Sequence, residues 1–273
     1  MRQQSIASRP SVSGNAIRRI VIGQSKRAGV GHIGSALSVA DMLAVIYGDL
    51  LRARGPNDPD RDRFVLSKGH AALALYAALS LRGWLTPQEL DSFCTDGTLL
   101  GVHPEHQLAG VDFSTGSLGM GLSFAAGAAL AARLLGTSRH CLALLSDAET
   151  NEGSVWEAVM FAAHHRLDNL TAFVDLNGQQ ALGYTENVLA LSPMVDRFVV
   201  FGWDAIEVDG HDRAAMYAAA TARRVGRPRV LICRTVFGKG VSFMEGQLKW
   251  HYLPMSDAEF AVALAEVDNL ECG

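Results

Sequence analysis

An α/β fold, built on a mostly parallel sheet with helices on both faces, is what this sequence predicts. Three observations lead there. Residues 142–145 form an apolar run that ends at Asp147, and residues 170–174 form a second that ends in Asp175-Leu176-Asn177-Gly178. Between them, residues 155–164 carry helical spacing, so the unit reads strand–helix–strand. From Cys141 onward, strand and helix patterns keep alternating, which is the signature of parallel strands joined by crossover helices. With 273 residues and 49% hydrophobic content, the chain has enough apolar surface for a large buried core.

Taken in order, residues 1–13 read as a polar N-terminal arm, and 14–273 as one domain. Residues 17–25 place Ile17, Ile20 and Val21 on one helical face. A glycine-broken turn follows, Gly29-Val30-Gly31-His32-Ile33-Gly34, and Ser38 is positioned to cap a helix over 39–51. Residues 57–63 are a charged loop, 64–66 a short buried strand, and 71–82 a helix. Thr86-Pro87-Gln88-Glu89 is a capping-box start with proline at the first helical position. Residues 99–116 read mostly as loop, and 118–135 as a helix of small residues. Beyond the strand–helix–strand unit come strands over 203–208 and 229–236, with an alanine-rich helix at 213–224 between them. A final helix spans 257–267 behind Ser256. There is no internal repeat.

Composition narrows the function. A net charge of −4 gives no basic surface for nucleic acid and no polybasic membrane patch. Residues 1–14 lack an apolar signal core. The longest apolar stretch, 122–135, contains Arg133 and is too short to span a bilayer. Cys94, Cys141, Cys233 and Cys272 are scattered with no CxxC pair, which points to reduced thiols and a cytoplasmic setting.

The chemistry-bearing residues gather at element ends. Ligands of open α/β sheets bind outside the carboxyl ends of strands. There Asp147 and Asn177 offer hard oxygens suited to a Mg²⁺ ion bridging to phosphates. His32, His70, His103 and His251 all fall in glycine- or proline-bounded loops, and imidazoles titrate near neutrality. His211, in an Asp-Gly-His-Asp turn, reads as structural. Gly119-Met120-Gly121 is not a dinucleotide fingerprint, because Phe124 stands at the third glycine position and no clear strand precedes it.

The spacing of Ser146-Asp147-Ala148 and Asn177, about thirty residues apart, resembles the thiamine diphosphate (ThDP) motif of the transketolase family. Both glycines that usually flank the aspartate are replaced. Four further segments resemble the family in the right order. They are Gly31-His32-Ile33-Gly34, with isoleucine for proline, and Ser67-Lys68-Gly69-His70. His103-Pro104-Glu105 is followed by Ser114-Thr115-Gly116-Ser117-Leu118-Gly119-Met120-Gly121. Last come Gly238-Lys239-Gly240 and Trp250-His251. Together they cover nearly the whole chain.

The resemblance implies the diphosphate-binding (PP-type) domain of the ThDP-binding fold. It implies Mg²⁺ ligation by Asp147, Asn177 and the main-chain carbonyl of Gln179. His70 and His251 would contact the diphosphate, and His32 and His103 the substrate hydroxyls. Gly116, Ser117 and Leu118 would lie by the aminopyrimidine ring, Ala148 by the diphosphate, and Glu152 at a subunit interface. The activity implied is transfer of a two-carbon ketol unit from a ketose, or its phosphate, to an aldehyde acceptor. The glutamate that activates the cofactor belongs to a second, pyrimidine-binding domain. Since the sequence stops at Gly273, it reads as the N-terminal subunit of a split transketolase, expected in an α₂β₂ assembly with a C-terminal subunit. Two alternatives stay open: a non-catalytic interaction subunit that keeps the fold, and a related ThDP enzyme of the deoxyxylulose-phosphate synthase or dehydrogenase E1 type.

Overall fold

The structure is a computed structural model that describes residues 12–224 and 226–270; most of the N-terminal arm, residues 1–11, lies outside the described residues. Helix α1 (Gly14–Ala28) starts where the Ser13 hydroxyl accepts from the Ala16 N–H, and it stops at Gly29, which takes the left-handed conformation. A short helix α2 (Ile33–Ser38) leads into α3 (Ala40–Val45), which continues as a π-helical turn over Ile46–Leu50. Strand β1 (Arg63–Leu66) is followed by α4 (Ala72–Leu81) and the short α5 (Pro87–Leu90). The long α6 (Gly121–Leu134) precedes β2 (Cys141–Ser146), α7 (Gly153–His164) and β3 (Leu170–Leu176). A small antiparallel hairpin, β4 (Gln179–Gln180) and β5 (Gly183–Tyr184), leads to α8 (Thr185–Val188) and α9 (Met194–Val200). The chain closes with β6 (Asp204–Asp209), α10 (Arg213–Thr221), β7 (Arg229–Arg234) and α11 (Asp257–Leu270).

Five strands make one sheet in the order β1-β2-β3-β7-β6, every pair parallel. Helices cover both faces, as the alternating pattern predicts. Side chains of successive strand residues point to opposite faces, and the core divides accordingly. Phe64, Leu66, Leu142, Leu144, Phe173 and Leu231 pack under α1, α3, α4, α10 and α11. Val65, Ala143, Leu145, Ala172, Val174 and Ile232 pack under α6, α7 and α9. Each fully buried aliphatic side chain here contributes about 1.5–3 kcal/mol. That is why β2 and β3, covered on both sides, read as continuous apolar runs rather than alternating ones. Among the described residues, no helix is long and apolar enough to cross a membrane.

Several boundaries differ from expectation for local reasons. Ser38 caps no helix: it ends α2, and its hydroxyl donates to the Ser35 carbonyl (3.0 Å) and to Asp175 (2.8 Å). The helix expected from 118 begins at Gly121, because Gly116 and Gly119 hold the preceding loop at positive φ. The capping box at Thr86 forms as expected, with the Thr86 hydroxyl accepting from the Glu89 N–H and the Glu89 carboxylate accepting from the Thr86 N–H. Helices α2, α8 and α9 and the β4–β5 hairpin have no counterpart in the sequence pattern; all but one are six residues or shorter and show little periodicity.

Candidate active site

The parallel strands direct their carboxyl ends to one edge, and the loops there carry the expected residues. At the end of β2, Asp147 is fully buried. Its Oδ1 accepts from the Ala148 N–H (2.7 Å), and its Oδ2 accepts from the Gly178 N–H (2.8 Å) and the Thr185 hydroxyl (3.3 Å). At the end of β3, Asn177 donates through Nδ2 to Asp175 (2.8 Å) and accepts at Oδ1 from the Gln179 N–H (2.9 Å). These partners fix the amide, with nitrogen toward Asp175 and oxygen away from it. Gln179 is buried, and its Nε2 donates to the Gly246 carbonyl (2.6 Å). A cavity of 1030 Å³ opens beside Asp147, Asn177 and Gly178 and is lined also by Thr185, Arg234 and Thr235.

Three of the four loop histidines converge. The ring centroids of His32 and His70 are 5.8 Å apart, those of His32 and His251 5.5 Å, and those of His70 and His251 5.7 Å. His32 sits at the start of α2 with a left-handed backbone (φ 59°), unusual for a side chain with a Cβ. His70 places Nε2 2.9 Å from the Ser35 hydroxyl. His103 lies one loop away with its ring against Gly116, where a Cβ would fall 3.2 Å from the imidazole.

Burial pushes the His70 imidazole well below its ordinary pKa, and Lys68, His251, His32 and His103 push it the same way. His32 is lowered by burial and then by His103, and His251 chiefly by burial. All three are therefore neutral at pH 7. These three rings bind fewer protons in the native chain than in the unfolded one between their lowered values and 6.5. The stability these three rings contribute is complete above pH 6.5 and is lost as pH falls through their folded pKa values. In denaturant unfolding, this histidine contribution should fall between pH 7.5 and 5.5. The drop should shrink in His70→Gln.

Residues outside the expected set hold these groups in place. Lys68 and Asp175, neither of them solvent-exposed, form an ion pair at 2.5 Å. Asp175 also accepts from Ser38, Asn177 and the Thr235 hydroxyl. One carboxylate thus ties β1, β3, β7 and α2 to the Asn177 amide. Glu149, also fully buried, accepts from the Ser67 hydroxyl, the Gly119 N–H (2.7 Å) and the Ser146 N–H (3.3 Å). Burial raises its pKa. The Glu149 N–H in turn donates to the Ser146 hydroxyl (3.1 Å). Ser146, one of the two glycine replacements, therefore forms a reciprocal serine–glutamate box at the start of the turn that carries Asp147.

The loop containing Gly116, Ser117 and Leu118 is pinned at both ends. The Thr115 hydroxyl donates to the Leu66 carbonyl (2.7 Å), and the Gly121 N–H donates to the Ser67 hydroxyl (3.1 Å). A Cβ at Gly121 would lie 2.3 Å from Ser67 Oγ and 2.7 Å from its Cα. Gly121→Ala should cost about 1–3 kcal/mol in denaturant unfolding by forcing these backbones apart. Glu152, exposed at the start of α7, packs under the same loop, a Cβ at Gly119 falling 2.7 Å from its own Cβ.

The residues present suit a divalent cation. Burial, and then the neighbouring Asp175 charge, push the Asp147 carboxyl up to about 6, a strain that a cation beside it relieves. Buried Gln179 Oε1, His32 Nδ1 and His251 Nδ1 have no protein partner and remain available to a ligand shell. Among the described residues no three His, Cys, Asp or Glu side chains are placed to hold a metal ion by themselves. The expected ligand set is instead one carboxylate, one amide and one main-chain carbonyl.

Residues 10–267 match the family model described as transketolase, thiamine diphosphate binding domain. The chain belongs to the transketolase family. This transketolase-family chain is 39% identical over 260 residues to SqwG of Clostridium sp. (strain MSTE9), a 6-deoxy-6-sulfo-D-fructose transketolase subunit, covering 93% of this chain and 94% of that one. It is 38% identical over 249 residues to an apulose-4-phosphate transketolase subunit of Phocaeicola vulgatus, covering 89% and 88%. Among solved structures, the transketolase of Campylobacter jejuni superposes with a TM-score of 0.88 at 28% identity, over 96% of this chain and 43% of that one. The chain thus spans nearly the full length of the transketolase subunits but under half of the solved transketolase.

Proposed function

We propose that this chain is the diphosphate-binding subunit of a two-component transketolase. The pair would move a two-carbon ketol unit from a ketose, or its phosphate, to an aldehyde acceptor, using ThDP and Mg²⁺. One observation carries the reading: Lys68, two residues before His70, pairs with Asp175, the same carboxylate takes the Asn177 amide, and His70 packs with His32 and His251. The end-to-end similarity to named transketolase subunits supports it.

Asp147, the Asn177 oxygen and the Gln179 carbonyl would hold Mg²⁺. His70 and His251, neutral at pH 7, would donate ring N–H groups to the diphosphate. Ala148 would offer its N–H to the diphosphate. Gly116, Ser117 and Leu118 would offer main-chain groups to the aminopyrimidine. Bound ThDP supplies the electron sink for carbon–carbon cleavage and formation. His32 and His103, with depressed basicity at His32, would accept and return protons at the sugar hydroxyls. A partner polypeptide with the pyrimidine-binding domain would add the activating glutamate and meet Glu152, giving an α₂β₂ assembly.

Free Cys94, Cys141 and Cys233 fit a cytoplasmic enzyme. The relatives named for sulfo-fructose and apulose phosphate favour a specialised sugar pathway. The test is a ketol-transfer assay on the chain mixed with the product of the adjacent gene. Activity only in the mixture is expected. Housekeeping rates on ordinary pentose phosphates would contradict the specialised role, and inactivity of a confirmed complex would leave a non-catalytic subunit.

A further inference from the structure

His211 belongs to the turn after β6, outside the cleft, yet its bonds lead back to it. Its Nε2 is 2.9 Å from the main-chain nitrogen of Val236, and its Nδ1 is 2.7 Å from Asp41 Oδ2. A main-chain N–H can only donate, so Nε2 is bare and Nδ1 carries the proton that reaches Asp41. Arg18 grips the same carboxylate with both arms, its Nη1 donating to Oδ1 at 3.0 Å and its Nη2 to Oδ2 at 2.5 Å. Arg18 is almost fully buried, and its Nε donates to the Lys239 carbonyl at 3.1 Å.

The relay therefore grips one segment at two points, the Val236 N–H and the Lys239 carbonyl. Between them lies Phe237. Its ring stacks on His251, with centroids 5.8 Å apart and planes at 24°. Its other neighbour is Gly34, so close that a Cβ there would fall 2.1 Å from the ring, and the Gly238 N–H donates to the Gly34 carbonyl (3.0 Å). Phe237 thus touches both the His251 ring and the turn that carries His32.

We propose that His211, fixed as the Nδ1–H tautomer between Asp41 and Val236, is a positioning residue that acts with Arg18 to orient His251 through Phe237. The consequence for cofactor binding rests on the function proposed above; the placement of the ring does not. A half-buried hydrogen-bond frame of this kind can lock the rotamer of a functional side chain.

The test uses the full chain. Imidazole ¹⁵N spectra of the ligand-free protein, with His251 assigned through His251→Gln, should show the His251 resonances displaced in His211→Ala and those of His103 unmoved. His211→Gln, whose carboxamide oxygen can still accept from Val236, should restore them. With the partner polypeptide present, His211→Ala should weaken ThDP binding about tenfold and leave the KM for sugar unchanged. If the alanine variant does not fold, Asp41→Asn, which loosens both His211 and Arg18, should give the same displacement. Unmoved His251 resonances in a folded variant would overturn the proposal, as would displaced resonances with unchanged ThDP affinity. Displaced resonances in a protein whose parent binds no ThDP would uphold the positioning and sink the cofactor reading instead.

Discussion

Asp147→Asn is expected to lower Mg²⁺-dependent ThDP affinity by at least about a hundredfold, near 3 kcal/mol, while leaving the ligand-free fold intact. The residue is fully buried beside Asp175, and its pKa is pushed up to about 6. Holding that carboxylate ionised without a counter-cation costs roughly 3 kcal/mol above pH 6. Because the folded pKa lies above the unfolded value of 3.8, this cost is absent below pH 4, grows between pH 4 and 6, and is complete above. The amide removes the charge and keeps the shape, although its NH₂ can no longer accept from one of the two main-chain N–H groups. The ligand-free variant should therefore melt within a few degrees of the parent at pH 8. Added ThDP and Mg²⁺ should raise the parent's melting temperature and leave the variant's unchanged. A variant still stabilised by the pair would remove Asp147 from the metal site.

Lys68→Met should have the largest effect on stability, a loss of about 3–5 kcal/mol in urea unfolding. The ammonium is the cationic partner of Asp175, and neither side chain is exposed. Removing it leaves a buried carboxylate with three hydrogen-bond donors and no counter-charge. Because the same Asp175 oxygen takes the Asn177 amide, Asn177 should lose its fixed orientation as well. The double variant Lys68→Met with Asp175→Asn removes the uncompensated charge and should recover most of the loss. Equal stability of Lys68→Met and the parent would show that the pair does not bear on the fold.

The contrast between these two residues shows what is legible in the sequence. Asp147 and Asn177 stand at the ends of apolar runs, and strand-end placement is a local signal. The sheet itself is readable because β2 and β3 are buried on both faces and so lack polar interruptions. Lys68 lies inside the histidine motif at 67–70, but its partner is 107 residues away and two strands over. No local pattern announces that contact; a lysine behind a buried apolar strand only hints at a missing carboxylate. Ser38 misleads for the same reason: a serine before a helical pattern resembles a cap, but Asp175 claims its hydroxyl. Ser146 and Glu149 do carry a signal, since serine followed three residues later by glutamate is a capping-box spacing. Residues 179–200 are opaque because elements of two to seven residues carry too little periodicity.

The most direct measurement is calorimetric titration of ThDP with Mg²⁺ into this chain alone and into the chain mixed with the protein encoded beside it. Tight, Mg²⁺-dependent binding in the mixture, weak or absent in the chain alone and lost in Asp147→Asn, is the expected result. No binding in a mixture whose complex is confirmed to form would contradict a catalytic site at the ends of β2 and β3.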